Sequence, residues 1–227
     1  MIEAINQKAI LNINNISKSY SDGKIAVLKN IHFSVQRGEF IVIHGESGSG
    51  KSTLLQLLAG VEKADQGEIT LNGTNICRLN ESRRAMFRRK NVGFVFQQFH
   101  LLPELTALEN VMMPLLIQKA SLKKASEKAK HLLFYVGLED RINHRPEQLS
   151  GGQNQRVAVA RALVAEPAVI FADEPTGNLD SKNRAELLAL LQKINKERGA
   201  TLLMVTHSEQ ERAVANRVIE LKDGVIV

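Results

Sequence analysis

Two hydrophobic patterns alternate along this chain. Near its start, Leu11 and Ile13 alternate with Asn12 and Asn14, and Ile31, Phe33 and Val35 repeat the rhythm before the Arg37-Gly38 turn. Such period-2 patterning marks strands with one buried face. Residues up to 40 therefore predict an antiparallel sheet laid against a larger core, with Tyr20 in the loop between its strands. Further on, residues 40–43, 92–96, 169–172 and 201–205 are apolar almost throughout, as in strands covered on both faces. Helical patterns separate them. Residues 53–60 form a helix closed by Gly60, 81–90 a basic helix, and 182–198 a helix burying Leu187, Leu190, Leu191 and Ile194. In 121–136, Ala125, Ala129, Leu132, Leu133 and Val136 share one helical face. Turns at Gln66-Gly67, Asn72-Gly73 and Asp223-Gly224 predict two hairpins. Pro103 and Pro114 exclude one straight helix over 99–119. Strands alternating with helices make this an α/β chain.

Between the first both-faces strand and the first helix stands Gly45-Glu46-Ser47-Gly48-Ser49-Gly50-Lys51-Ser52. Strand, glycine loop and helix in that order form the phosphate-binding pattern G-x-x-x-x-G-K-[ST]. Backbone N–H groups turn inward to cradle an oxyanion, and the new helix adds its positive dipole end. Lys51 then reaches the β- and γ-phosphates, and the Ser52 hydroxyl ligates Mg²⁺. The chain binds a nucleoside triphosphate on this reading.

Other candidates sit at strand ends. Asp173-Glu174 closes the strand at 169–172, where α/β sheets bind ligands. Beside a phosphate loop, Asp173 suits the Mg²⁺ and Glu174 an attacking water. Thr206-His207 reaches the same edge after the strand at 201–205. Gln97 ends the strand at 92–96, as a ligand contact or a polar cap. Ser150 caps a helix running through Leu163, and the glycines after it leave either a bare anion site or room for close packing. Tyr20 is an adenine platform or ordinary packing.

Composition narrows the class. The chain has 227 residues, 44% of them hydrophobic and 24% charged, as in a globular protein. Its single cysteine, Cys77, excludes a disulfide framework and a cysteine-based zinc site, and makes a reducing, cytoplasmic location the default. No run approaches the roughly eighteen apolar residues of a membrane span. A formal net charge of +6 suits nucleic acid, anionic lipid or an acidic partner. Arg83, Arg84, Arg88, Arg89 and Lys90 concentrate that charge on one helix, a solvated face or a contact surface.

With these residues in view, the chain resembles the ATP-binding subunit of ABC transporters over essentially its full length. The resemblance rests on the phosphate loop at 45–52, Gln97 in the Q-loop position and the signature Leu149-Ser150-Gly151-Gly152-Gln153. Asp173-Glu174, the D-loop Asn178-Leu179-Asp180 and the switch histidine His207 complete it. Residues 172–180 resemble the branch containing the MacB, FtsE and LolD families; 100–103, 106–111 and 143–146 look most like the lipoprotein-releasing LolD family. Asn154 departs from the residues usual after the signature.

The resemblance implies one domain over 1–227, a P-loop NTPase of α/β class. It has a RecA-like core, an antiparallel β subdomain and an inserted helical signature subdomain at about 99–160. It implies an ATPase in which Glu174, His207 and Gln97 are catalytic, and Ser52, Gln97 and Asp173 hold Mg²⁺. ATP is bound by Tyr20, Gly45, Ser47, Gly48, Ser49, Gly50, Lys51, Ser52 and Thr53. Ser150, Gly151, Gly152, Gln153 and Asp180 complete its site from a second subunit of a head-to-tail homodimer. Integral-membrane permease subunits are the implied partners, at the cytoplasmic face of the inner membrane, and specific nucleic acid is not. Phe99, Leu101, Leu102 and Leu105 are apolar enough to predict a groove for the permease's cytoplasmic helices. Lipoprotein release leads the implied functions, ahead of FtsE-like regulation of cell division and MacB-like export. A nucleic-acid or ribosome ATPase would carry a second nucleotide domain or a long insertion.

Overall fold

The computed structural model describes residues 9–21 and 23–227. The single domain expected over 1–227 thus includes residues 1–8 and 22, which lie outside the described residues. Strands β1 (Ala9–Tyr20) and β2 (Ile25–Gln36) form the long antiparallel pair that their alternation predicts. Tyr20 is the last residue of β1, paired with Ile25, rather than part of a loop. The two-residue pattern ends earlier in sequence than the main-chain ladder, which carries β1 on to Tyr20. The next elements are β3 (Phe40–His44) and α1 (Lys51–Leu58), followed by the hairpin of β4 (Gln66–Leu71) and β5 (Thr74–Asn75).

The basic helix is α2 (Glu81–Asn91), capped by Asn80, and it leads into β6 (Val92–Phe96). Helices α3 (Ala107–Ile117), α4 (Leu122–Tyr135) and α5 (Gly151–Leu163) come next. Pro114 lies inside α3 rather than ending it. The Thr106–Glu109 capping box and the buried Val111, Met112 and Leu115 carry the helix through, at the loss of one main-chain hydrogen bond. The chain continues through β7 (Val169–Asp173), α6 (Ser181–Arg198), β8 (Leu202–Thr206) and α7 (Glu209–Arg212). It closes with the hairpin of β9 (Arg217–Lys222) and β10 (Val225–Ile226). On α6, Leu188 is buried and Leu190 only partly so, reversing one expected position.

Among the described residues two sheets form, ordered β2-β1-β4-β5 and β10-β9-β3-β8-β7-β6. The second is parallel from β9 to β6. Its apolar runs follow from having both faces covered. Ile41 and Ile43 join α1 and the β1–β2 sheet in one core, whereas Phe40 and Val42 point to the opposite face, into the core shared with α3–α6. Phe171 and Ala172, and Leu203 and Met204, divide in the same way. The fold is thus a P-loop α/β core carrying an antiparallel sheet on one face and a helical layer on the other.

Register aligns the carboxyl ends of four strands. Phe96 pairs with Asp173, Asp173 with Val205, and His44 with Thr206. The residues that follow, Gln97, Glu174, His207 and Gly45, therefore emerge at one edge.

Candidate functional site

The phosphate loop is built by close approach and by a helix left uncapped. A Cβ on Gly45 would lie 2.2 Å from the main-chain oxygen of Leu221, so only glycine fits where the loop leaves β3. Gly50 caps α1 in the left-handed region at φ 100°, and no side chain bonds the first turn. Helices α2 to α6 all have side-chain caps, from Asn80, Thr106, Ser121, Ser150 and Asp180. The bare amides of α1 are thus free for an anion. Lys51 is buried and turns its Nζ onto the main-chain oxygens of Gly45 and Glu46, at 2.8 and 2.7 Å. Burial lowers its pKa, while the charges of Glu174 and Asp173 act to raise it.

Across the edge, Ser52 Oγ donates to Asp173 Oδ1 at 3.1 Å. Burial pushes the Asp173 carboxyl up; the Ser52 bond and Lys51 oppose that, and Glu174 adds to it. Next in the chain, Glu174 occupies the left-handed region at φ 41°, rare for a residue with a Cβ. Its N–H donates to Val205 O at 3.1 Å and its carbonyl accepts from Gly177 at 3.0 Å. The turn so fixed holds Glu174 Oε1 at 3.1 Å from Nδ1 of His207. Strain retained at such a position is characteristic of functional sites. Gln97 exchanges two hydrogen bonds with Asn178, its Nε2 donating to Oδ1 and its main-chain oxygen accepting from Nδ2, both at 3.2 Å. Gly177 packs directly beneath it.

Tyr20 stands at the flank. Its hydroxyl donates to Glu62 at 2.6 Å, Lys18 lies over its ring, and the Thr53 side chain is within bonding reach. Ser47 and Gly48 are exposed at the loop tip, whereas Ser49 is buried beneath it.

The signature residues gather elsewhere, around the start of α6. Ser150 and Gln153 form a capping box at the N-terminus of α5 within this chain. Gly152 lies against Asn183, and Gly151 against Leu179 and Phe99. Asp180 caps α6 and accepts from both the N–H and Nδ2 of Asn183, which lowers its pKa. The predicted residues thus fall into two groups, one on the phosphate loop and sheet edge, the other on α5 and α6.

Sequence reasoning missed two residues that tie these groups together. Gln155 is fully buried, and its Nε2 donates to the carbonyls of Phe96 at 3.1 Å and Pro175 at 2.6 Å. The signature helix is thereby bound to the ends of β6 and β7. Arg161 donates to the carbonyls of Phe99 and His100, fixing two consecutive residues at positive φ. A polar residue on the inner stripe of α5 was the available signal. Asn154 is explained as well: Nδ2 donates to Pro146 O and Leu149 O, closing the turn before the signature.

The apolar groove predicted from Phe99, Leu101, Leu102 and Leu105 takes a different form. Phe99 and Leu101 pack against the helical core, and Leu102 is exposed. A cavity of about 300 Å³ opens nearby between β6, α3 and α5, lined by Phe94, Phe96, Pro114, Ile117 and Arg161. No described helix is long and apolar enough to cross a membrane.

Comparison with known proteins agrees with this arrangement. The ABC transporter family pattern matches residues 28–177. The lipoprotein-releasing system ATP-binding protein LolD of Porphyromonas gingivalis is 48% identical over 217 residues, covering 96% of this chain and 98% of that protein. The macrolide export ATP-binding/permease protein MacB of Bdellovibrio bacteriovorus is 46% identical across 96% of this chain and 33% of its own length. A dimeric ATP-binding cassette in a post-hydrolysis state, bound to ADP and Pi, superposes with TM-score 0.86 at 42% identity, covering 95% of this chain and 96% of the other. A phosphate loop, an acidic strand end and a signature helix on one such fold place the chain in the ABC transporter family, as an ATP-hydrolysing, ATP-binding cassette.

Proposed function

We propose that this chain is the ATP-binding subunit of an inner-membrane complex that releases lipoproteins from that membrane. In this reading the chain is one domain, with a helical part at about 99–160 inserted in the core. It sits at the cytoplasmic face, bound to integral-membrane permease subunits. The near-full-length likeness to LolD supports the substrate class. The groove between β6, α3 and α5, rimmed by Arg89 and Arg161, suits a short permease helix.

The site roles follow from its geometry. Loop amides from Gly45 to Gly50, with Ser47 and Ser49, cradle the phosphates, and Lys51, Ser52 and Thr53 extend that grip into α1. Tyr20 stacks on adenine. Ser52 and Asp173 offer a hydroxyl and a carboxylate oxygen 3.1 Å apart, the hard donors that Mg²⁺ prefers, and Gln97, directly after β6, would add a third. When bound, Mg²⁺ neutralises charge on the phosphates. Glu174 takes the proton of the attacking water, and His207 keeps that carboxylate in line. Ser150, Gly151, Gly152, Gln153 and Asp180 reach the nucleotide of a second subunit in a head-to-tail homodimer. Their separation from the phosphate loop within one chain supports that reading, since one copy cannot close over its own nucleotide.

The contact of Glu174 with His207, beside the Ser52–Asp173 pair, carries the hydrolytic part. The substrate is tested by purifying the membrane complex that this chain brings down and reconstituting it in liposomes loaded with a lipoprotein. ATP-dependent transfer of lipoprotein to a soluble acceptor is the expected result. Export of a small amphiphile with lipoprotein retained would favour the second reading, MacB-like export, which the 46% identity over 96% of this chain supports.

A further inference from the structure

Beside the hydrolytic edge stands a histidine that none of these motifs uses. His44 is the last residue of β3, directly before Gly45, and its side chain is 14% exposed. Parallel register sets it beside Thr206 of β8 and Glu220 of β9. Its Nδ1 lies 2.9 Å from Oε2 of Glu220, and its Nε2 lies 3.3 Å from the main-chain oxygen of His207. Glu209 Oε1 is 3.5 Å from the same Nε2. Arg212 braces both acids, at 2.6 Å from Glu220 and 3.0 Å from Glu209.

Packing alone does not call for an imidazole here, because the four residues before it are apolar and buried. The His207 side chain is 61% exposed, so packing does little to fix its direction beyond the contact with Glu174. The main chain that carries it must do so. We infer that His44 is a positioning residue for ATP hydrolysis: with a proton on each ring nitrogen, it gives Nδ1–H to the Glu220 carboxylate and Nε2–H to the His207 carbonyl, and so holds the backbone from which the His207 ring meets Glu174. This rests on the reading of Glu174 and His207 as hydrolytic residues. His44 itself touches neither phosphate nor water in this scheme.

Two replacements separate the two nitrogens of the ring. The amide nitrogen of Gln matches the reach of Nε2, whereas that of Asn matches only Nδ1. Steady-state ATPase of the full chain with MgATP reads the outcome, alongside nucleotide affinity. His44→Asn should lower kcat about 10- to 100-fold with KM little changed, the scale of loss from a misplaced group. His44→Gln should restore most of that rate. His44→Asn combined with His207→Ala should be no slower than His207→Ala alone, since both act through one group. A wild-type kcat in His44→Asn overturns the inference, as does a His44→Gln protein equally impaired, or a loss confined to nucleotide affinity. If His207→Ala itself keeps the wild-type rate, the hydrolytic reading fails and the inference with it. A slow His207→Ala beside a normal His44→Asn overturns the inference alone.

Discussion

Ser52 and Asp173, 121 positions apart in the chain, bring a hydroxyl and a carboxylate oxygen to within 3.1 Å at the mouth of the phosphate loop. The bond joins the first turn of α1 directly to the end of β7. It also explains a tension in the site. Asp173 is held where burial disfavours its charge, although the proposed Mg²⁺ would require that charge.

Asp173→Asn tests this tension through stability. The folded-state pKa of Asp173 lies above its ordinary value, so its favourable contribution is full below that value and lost as pH rises through the folded pKa. At neutral pH the ionised group therefore weakens the nucleotide-free fold. Replacement with Asn should raise the nucleotide-free Tm at pH 7, at about 2–4 °C per kcal/mol relieved. The same variant should lose the further stabilisation that MgATP gives the wild type. Thermal scans with and without MgATP decide it; a lower nucleotide-free Tm contradicts the account.

Gln155→Leu probes the link between the signature helix and the sheet edge. It keeps the size of the side chain but removes the donor to the Pro175 carbonyl and leaves that of Phe96 with Phe99 N–H alone, at 3.3 Å. An orphaned buried group costs about 1–3 kcal/mol, so denaturant unfolding should show a loss in that range. ATP hydrolysis should fall more than ATP binding, because both carbonyls flank Gln97 and Glu174 rather than the phosphate loop. Equal losses in the two would contradict the link.

The basic helix α2 yields a prediction of the opposite kind. Arg84 is buried against Glu81, and Arg88 donates to Gly60 O at 2.6 Å and lies 3.4 Å from Glu81. Two of its cations are thus committed internally, which reduces the surface charge that the sequence advertised. Binding to duplex DNA should be weak and vanish by physiological salt, because few phosphate contacts leave few counterions to release. Fluorescence anisotropy across a salt series measures it, and tight binding at physiological salt would reopen the nucleic-acid reading.

Much of this was legible in the residues, and the failures have physical reasons. The both-faces runs gave β3, β6, β7 and β8, because full burial leaves no polar face to confuse the pattern. The phosphate loop was readable because its glycines answer to local geometry. Tyr20 was misplaced because main-chain pairing carries β1 past the point where its side chains stop alternating. No single helix spans 99–119, as the prolines require, but Pro114 itself sits inside α3 because tertiary packing outweighs one lost hydrogen bond. At Ser150 the residue type shows the cap, whereas the return bond from Gln153 depends on a side-chain conformation that only the fold fixes. The polar Gln155 stands out on the inner stripe of α5, but its partners, like those of His44, are set by strand ends that only the fold brings together.

In the proposed mechanism Glu174 is the base, acting on a nucleotide gripped by the phosphate loop. Replacing it with Gln keeps shape and hydrogen-bonding reach but removes the proton acceptor, which should slow hydrolysis about 10²–10⁴-fold. ATP binding should persist, because Lys51, Ser52 and the loop amides are untouched, and the uncleaved nucleotide should hold two subunits together. Lys51→Ala should instead weaken binding and give no dimer. The decisive measurement is phosphate release from Glu174→Gln, run beside size-exclusion chromatography of both variants in MgATP. The account predicts a nearly inactive Glu174→Gln protein that elutes as an ATP-dependent dimer; a Glu174→Gln protein that hydrolyses ATP at the wild-type rate would contradict it.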